Sequence, residues 1–406
     1  MTPMRVLLVS GFFESQLVSF REYAYSKELA DLGHDVTLMC GDQSYIWSKS
    51  RVRLPVTEPG KDDGAFVAAT GVRLLRRRVF FRLSDLVLYR PSLAAIRQAD
   101  VVHVIEFRQG ITALVALLAR AMGKPVVYDH EQRGDRTARW YSRVDSWVRR
   151  LLILAGSFTV DCVRHTVTAN RDHFRSCTPR TVEMMWAPLG ADPRRFYFDP
   201  AERDAVRREL GVAPDERVAI MTGKLHASKH VADVVRACRA AGVRLILVGT
   251  VPPDVRAELE GLGLATEILL PQVPAERLRA LFNAADVAIF TTFTVSYWEA
   301  HATGLRLVLP ATEFTRLAFD GDPAVSPFGG ADLFSIADEE YRPGVDLAPL
   351  IAQALAGAAA SVARTSQTTF SSTETGRRLA ALYQRIVSRR SGGQPAGGAV
   401  EAPACP

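Results

Sequence analysis

Short apolar runs closed by glycine or proline alternate with helix-like stretches along nearly the whole chain, and they do so in two successive series. Residues 4–10 (MRVLLVS) read as a buried strand followed by Gly11. Residues 18–32 then place Val18, Tyr23, Leu29 and Leu32 at helical spacing, Gly33 stops the helix, and 36–39 make a second strand. The unit recurs with a strand at 100–106 (DVVHVIE), a helix at 110–122 and a strand at 125–128 (PVVY). The second series is cleaner, with strands at 218–222, 243–248, 268–270, 287–290 and 305–309. Helices at 230–241, 274–284 and 296–303 are interleaved with them, and 305–309 closes the series. Continuous apolar strands joined through helices are the signature of parallel sheets covered on both faces. The fold class expected is therefore α/β, with two Rossmann-like, doubly wound parallel-sheet domains facing a cleft.

A chain of 406 residues suits two domains, each large enough to bury a core. The expected division is 1–186 for the first domain, 187–200 for a connector rich in proline and aromatics, and 201–367 for the second. A last helix at about 368–389 would follow, and 391–406, rich in Gly, Pro and Ala, would be a disordered tail. The net charge of +6 is too small and scattered for nucleic acid, and no nucleic-acid motif is present. Five cysteines, Cys40, Cys162, Cys177, Cys238 and Cys405, show no metal-ligand spacing, and their odd number suits reduced thiols. No signal-peptide core or uncharged run of membrane-spanning length is seen, so a cytoplasmic location is expected. Residues 73–82 (RLLRRRVFFR) read as a solvated strand end leading into a helix. The alternative is a patch for a membrane surface or an acidic acceptor, with Arg76, Arg77 and Arg78 meeting phosphate or carboxylate groups. The oligomeric state is open.

Parallel α/β sheets hold ligands beyond the carboxyl ends of their strands, so candidates lie just after each strand. After 218–222 comes Gly223-Lys224-Leu225-His226-Ala227-Ser228-Lys229. Two ammonium groups at this spacing, beside a helix start, can neutralise a diphosphate; the plainer reading is two exposed loop lysines. After 287–290 comes the loop Thr291, Thr292, Phe293, Thr294 and Val295, whose amides can meet phosphate. Glu299 stands in the next helix, where its carboxylate can accept from the paired hydroxyls of a ribose or merely favour its own helix dipole. Gly249 allows close backbone approach, and Gln272 and Val273 lie in a turn that can offer backbone groups to a nucleobase. In the first half, His130 follows strand 125–128 at the expected cleft edge, as a proton carrier or a satisfied structural histidine. His103, within a strand, is expected in the core. Gly11, Phe13 and Glu14, with Glu131 and Arg133, would face the same cleft on the acceptor side.

Five segments in order, MRVLLVS…ELADLGHDVTL, DVVHVIE, PLGADPRRF, GKLHASK and EAHATGLRLVLP, resemble the retaining GT-B glycosyltransferases of family GT4. The resemblance covers the chain to about residue 390. It implies that Lys224 and Lys229 contact the donor diphosphate, Glu299 the ribose, and His130 the transferred sugar. It places Gly11 near the donor phosphates, and Gly223, Gly249, Gln272, Val273, Thr291, Phe293, Thr294 and Val295 around the donor. It implies a UDP- or GDP-sugar as co-substrate, no tightly bound cofactor and no obligate metal. The last helix would cross back onto the first domain. This sequence departs from the family pattern in four places. Lys224 replaces the usual Arg, turning a fork into a point charge. Thr291 stands where the family has a first Glu, and Arg306 where Pro is frequent. Ser15-Gln16-Leu17-Val18 stands near the usual Gly-Gly. These departures suggest a specialised bacterial member, in secondary-metabolite (antibiotic) or cell-surface sugar biosynthesis.

The resemblance implies transfer with retention, the leaving phosphate taking the acceptor proton; no carboxylate can be assigned as a covalent nucleophile. The competing readings are a sugar-nucleotide epimerase or hydrolase of the same fold, and a non-catalytic sugar-nucleotide binder.

Overall fold

The computed structural model describes residues 2–15, 20–43, 60, 62–83, 85–132, 140–263, 267–292, 294–319, 325–328, 345–356, 366–367 and 369–392. Two units divide the chain: Met1–Leu189 with Ser372–Ala404, and Gly190–Ser371. Most of the Gly-, Pro- and Ala-rich tail, 393–406, lies outside the described residues.

Unit 1 is built on seven parallel strands. They are β1 (Arg5–Val9), β2 (Asp35–Gly41), β3 (Arg73–Arg77), β6 (Val101–Ile105), β7 (Val126–His130), β8 (Cys162–His165) and β9 (Glu183–Trp186). Two further strands, β4 (Val79–Leu83) and β5 (Leu86–Tyr89), form a separate antiparallel hairpin. The spatial order is β3-β2-β1-β6-β7-β8-β9, so the order reverses between β1 and β6. Such a reversal opens a crevice at the carboxyl ends of the two strands, because their connections leave to opposite sides. The apolar runs are buried for the same reason: every residue of β6 and β7 is inaccessible to solvent, as helices cover both faces. Val9, Val104, Tyr128, Ile153 and Phe174 belong to one continuous core, where each large side chain contributes about 1.5–3 kcal/mol by burial. Gly33, at φ 85°, ends the helix Arg21–Asp31 in the left-handed conformation that other residues avoid. The helix Ser372–Ser391 packs on the helix Arg21–Asp31 of this unit. Its Ser372 hydroxyl donates to Glu28 at 2.7 Å, and its Gly376 leaves no room for a Cβ beside Glu28.

Unit 2 repeats the plan with six parallel strands: β10 (Val218–Thr222), β11 (Arg244–Val248), β12 (Ile268–Leu270), β13 (Val287–Ile289), β14 (Arg306–Pro310) and β15 (Val325–Phe328). The order is β12-β11-β10-β13-β14-β15, with the reversal between β10 and β13. Its core joins Met221, Leu225, Val235, Leu247 and Ile289 with Ile351 of the helix Ala348–Ala356. The helix Pro200–Glu209 that opens the unit starts on an Asp-Pro pair. Asp199 caps it by accepting from the amides of Ala201 and Glu202, and Pro200 needs no donor at the first position.

Three expectations are corrected. Residues 73–82 do not run into a helix; they form β3 and then β4, held by pairing with β2 and β5, partners that the local pattern does not announce. Strand 305–309 does not close its series, because β15 pairs beyond it with β14. Three strands of the first half, β5, β8 and β9, escaped the sequence reading. The four residues each of β8 and β9, CVRH and EMMW, carry charged side chains within the strand.

Candidate functional site

In unit 2 the residues that follow β10 and β13 flank the reversal of strand order. Gly223 leaves β10 at φ 105°, and Gly249 leaves β11 at φ 142°. The two loops touch through backbone: a Cβ on Gly249 would stand 1.8 Å from the Gly223 carbonyl oxygen. Lys229 closes the short 3-10 turn Ala227–Lys229 and points back under this loop. Its ammonium donates to the Thr222 carbonyl at 3.2 Å. A methyl on Gly223 would lie 3.1 Å from Lys229 Nζ and 4.0 Å from Thr294 Oγ1. The absent side chain of Gly223 thus leaves a lysine on one side and the 291–295 loop on the other. The Thr291 hydroxyl donates to the Lys229 carbonyl at 2.7 Å and ties the two loops together.

The electrostatics are those of a cation kept from solvent. Burial, with the nearby positive charge of Lys224 added, pushes the Lys229 ammonium down to about 8. Burial also lowers the half-buried Lys224. An anion in contact with both would relieve the repulsion and restore the protonated forms. Glu299 is buried in the first turn of the helix Ser296–Ala302, directly after the 291–295 loop. Val295 is the residue before that helix, and Gln272 and Val273 follow β12. Phe293 lies outside the described residues. Among the described residues no group of three or more His, Cys, Asp or Glu side chains is placed to hold a metal ion.

Of the candidates of unit 1, Gly11 lies at the strand reversal, and His130 and Glu131 lie at the end of β7 beside it. The Gly11 amide, after β1, donates to Gln109 Oε1 at 2.5 Å. Phe13 and Glu14 are buried rather than open to solvent. Phe13 packs tilted against Phe66, and its carbonyl accepts from Arg76 at 2.9 Å. Arg76 is committed there and to Asp63 at 2.6 Å, so it is not held out to a ligand as the alternative reading of 73–82 had it.

His130 is also corrected in its placement. It ends β7 fully buried, with Nδ1 2.7 Å from the Tyr128 hydroxyl and Nε2 3.1 Å from His173 Nδ1. Burial first, then the neighbouring His173, holds it well below the usual histidine range, so it stays neutral. His103 sits in the core as expected, 2.6 Å from the Tyr383 hydroxyl.

Glu131 is the partly exposed member. Its carboxylate meets Arg21 at 2.6 Å, Arg164 at 3.1 Å and the Thr166 hydroxyl at 3.1 Å. Arg133 lies outside the described residues. The sequence reading missed the residues that hold this edge. Glu106, at the left-handed φ of 58°, accepts from the Glu131 amide and from Gln132. Arg164, wholly buried in β8, bridges Asp129 at 2.8 Å and Glu131. Glu106 follows an apolar strand directly and was visible by that position. Arg164 had no local signal, because its partners lie on the neighbouring strand.

The description "glycosyl transferase 4-like domain" matches residues 23–195. Over residues 23–195 the chain is thus similar to the family that the five segments resemble. Among curated relatives, D-inositol 3-phosphate glycosyltransferase of Segniliparus rotundus is 31% identical over 153 residues, 33% of this chain and 33% of that protein. The same-named protein of Nocardia farcinica is 31% identical over 136 residues, 29% of this chain and 30% of its own. The aligned part of this chain thus spans about a third of the curated relatives it matches. Solved structures align over nearly full length. Anabaena HepE in complex with UDP has a TM-score of 0.61 at 17% identity, over 94% of this chain and 100% of that one. Sucrose-phosphate synthase from Thermosynechococcus elongatus has a TM-score of 0.57 at 18% identity, over 96% and 98%. WaaG, a glycosyltransferase of lipopolysaccharide biosynthesis, has 0.54 at 15%, over 96% and 100%. At these identities the likeness is one of fold, and the fold is GT-B, with two Rossmann-like domains. Among the described residues no helix is long and apolar enough to cross a membrane.

Proposed function

We propose that this protein is a glycosyltransferase that binds a nucleoside diphosphate sugar, with UDP or GDP as the carrier, and passes the sugar to a small-molecule or glycan acceptor with retention of configuration. The observation that carries the donor reading is the buried Lys229. Its ammonium lies against the Gly223 loop, where burial, with the charge of Lys224 added, lowers it to about 8. Two mutually repelling cations under a glycine-lined loop suit an anion of high charge density. The loop amides of 291–295 and the Glu299 carboxylate complete the reading as phosphate and ribose contacts. Gln272 and Val273 are proposed for the base. Relatives named for transfer to D-inositol 3-phosphate, and a fold neighbour crystallised with UDP-glucose, support the class of reaction.

In the reaction we infer, the bond from the anomeric carbon to the diphosphate oxygen breaks and a bond to the acceptor heteroatom forms on the same face. The acceptor proton passes to the leaving phosphate oxygen. Lys224 and Lys229 stabilise the charge that develops there, which is the work a divalent cation does in metal-dependent transferases. Glu131, held between two arginines, is proposed to orient an acceptor hydroxyl. His130 acts one step removed, its neutral ring clamping Tyr128 and His173 at the end of β7 beside Glu131.

Titration calorimetry with UDP and GDP tests the donor reading. Lys229→Ala is expected to weaken the preferred nucleotide by roughly 10- to 100-fold, the loss of a charge-assisted contact. Unchanged affinity in a folded Lys229→Ala variant would overturn it.

A further inference from the structure

We propose that the β4–β5 hairpin of unit 1 is a contact surface for an anionic lipid membrane. One face of the hairpin is fastened to the core: Val87 and Tyr89 are buried, and the Tyr89 hydroxyl donates to the carbonyls of Ser10 at 3.0 Å and Met39 at 3.3 Å. The opposite side offers large apolar groups to solvent, with Phe80 67%, Phe81 44% and Leu83 66% exposed. Strict alternation would turn Phe80 and Phe81 to opposite faces. Here the register slips between Val79, paired with Tyr89, and Phe81, paired with Leu88, so Phe80 has no cross-strand partner. A bulge of this kind re-aims a side chain, and both rings end in solvent. Three such groups on five consecutive residues of a fastened hairpin are an apolar cluster, unlike singly scattered surface residues.

The charges around the cluster select the partner. Residues 73–90 hold six arginines and one acidic residue, Asp85. Asp85 is taken by Arg108, while Arg73 and Arg76 pair with Asp35 and Asp63. Among the described residues Arg77, Arg78 and Arg90 have no carboxylate partner; Arg77 donates only to the Arg90 carbonyl. A second copy of the chain would set these cations against their equals. A bilayer carrying anionic headgroups offers phosphate to the guanidinium groups and apolar depth to the rings, the arrangement of an interfacial anchor.

Cosedimentation with vesicles tests this. The full chain is expected to partition onto phosphatidylcholine vesicles containing phosphatidylglycerol, to partition far less onto phosphatidylcholine alone, and to be released by salt. Phe80→Ser with Phe81→Ser should cut partitioning by roughly tenfold or more, and Arg78→Ser by about fivefold. Thermal unfolding midpoints of these variants should match the parent, since the substituted groups are exposed. Absence of partitioning, or partitioning unaltered by the Phe substitutions, would overturn the proposal. So would vesicle-independent self-association that the same substitutions abolish, because the occupant would then be a second copy.

Discussion

Lys229 is the residue whose chemistry is most constrained by its surroundings. Its ammonium loses its proton near pH 8, because burial and Lys224 disfavour the charged form. A diphosphate favours that form, so nucleotide affinity should be level below this pH and fall as the pH rises through about 8. Binding measured at pH 8 should take up about half a proton, visible as a calorimetric heat that changes with the ionisation enthalpy of the buffer. A pH-independent affinity between 7 and 9, roughly one unit to either side of this titration, would contradict the assignment of Lys229 to the phosphate. Gly249 carries a second prediction at this scale. Its φ of 142° and the 1.8 Å approach to the Gly223 carbonyl leave no place for a side chain. Gly249→Ala should cost about 2 kcal/mol or more in urea unfolding and weaken nucleotide binding with it, since the clash displaces the loop over Lys229.

At the scale of elements, the strands of unit 1 are joined by a charge chain that no local pattern announces. Arg164 on β8 and Asp129 on β7 are wholly buried and 2.8 Å apart. Arg164→Met leaves a buried carboxylate uncompensated and should destabilise the protein by about 3–5 kcal/mol in chemical unfolding. Adding Asp129→Leu should recover much of that loss, whereas equal destabilisation in the single and double variants would show that the pair is not the cause. The same strands show what the sequence could and could not reveal. Runs such as VVHVI and VRLILV declared themselves because parallel strands buried on both faces need uninterrupted apolar side chains. CVRH did not, because its arginine is neutralised only by residues of the strand beside it. For the same reason His130 read as an edge residue: its neighbours His173 and Tyr128 are brought to it by the fold, and their spacing along the chain gives no sign of it. The glycine loop with Lys224 and Lys229 was legible, because its residue types and its position after a strand belong to one short segment. The β4–β5 hairpin was half legible, its arginines and phenylalanines plain and its bulge invisible.

At the scale of the molecule, the chain repeats one architectural plan in two units, each a parallel sheet whose strand order reverses once. The proposed donor contacts all belong to unit 2. Hydrogen exchange should therefore show UDP-induced protection at residues 223–229 and 291–299, while the β4–β5 hairpin in unit 1 exchanges unchanged. Protection confined to unit 1 would mean that the nucleotide binds elsewhere. The most direct test is a crystal structure of the chain with UDP. The account predicts the diphosphate within hydrogen-bond distance of Lys229 Nζ and of amides in the 291–295 loop, with Glu299 on the ribose. A diphosphate bound away from the Gly223 loop, with Lys229 still turned only to the Thr222 carbonyl, would contradict it.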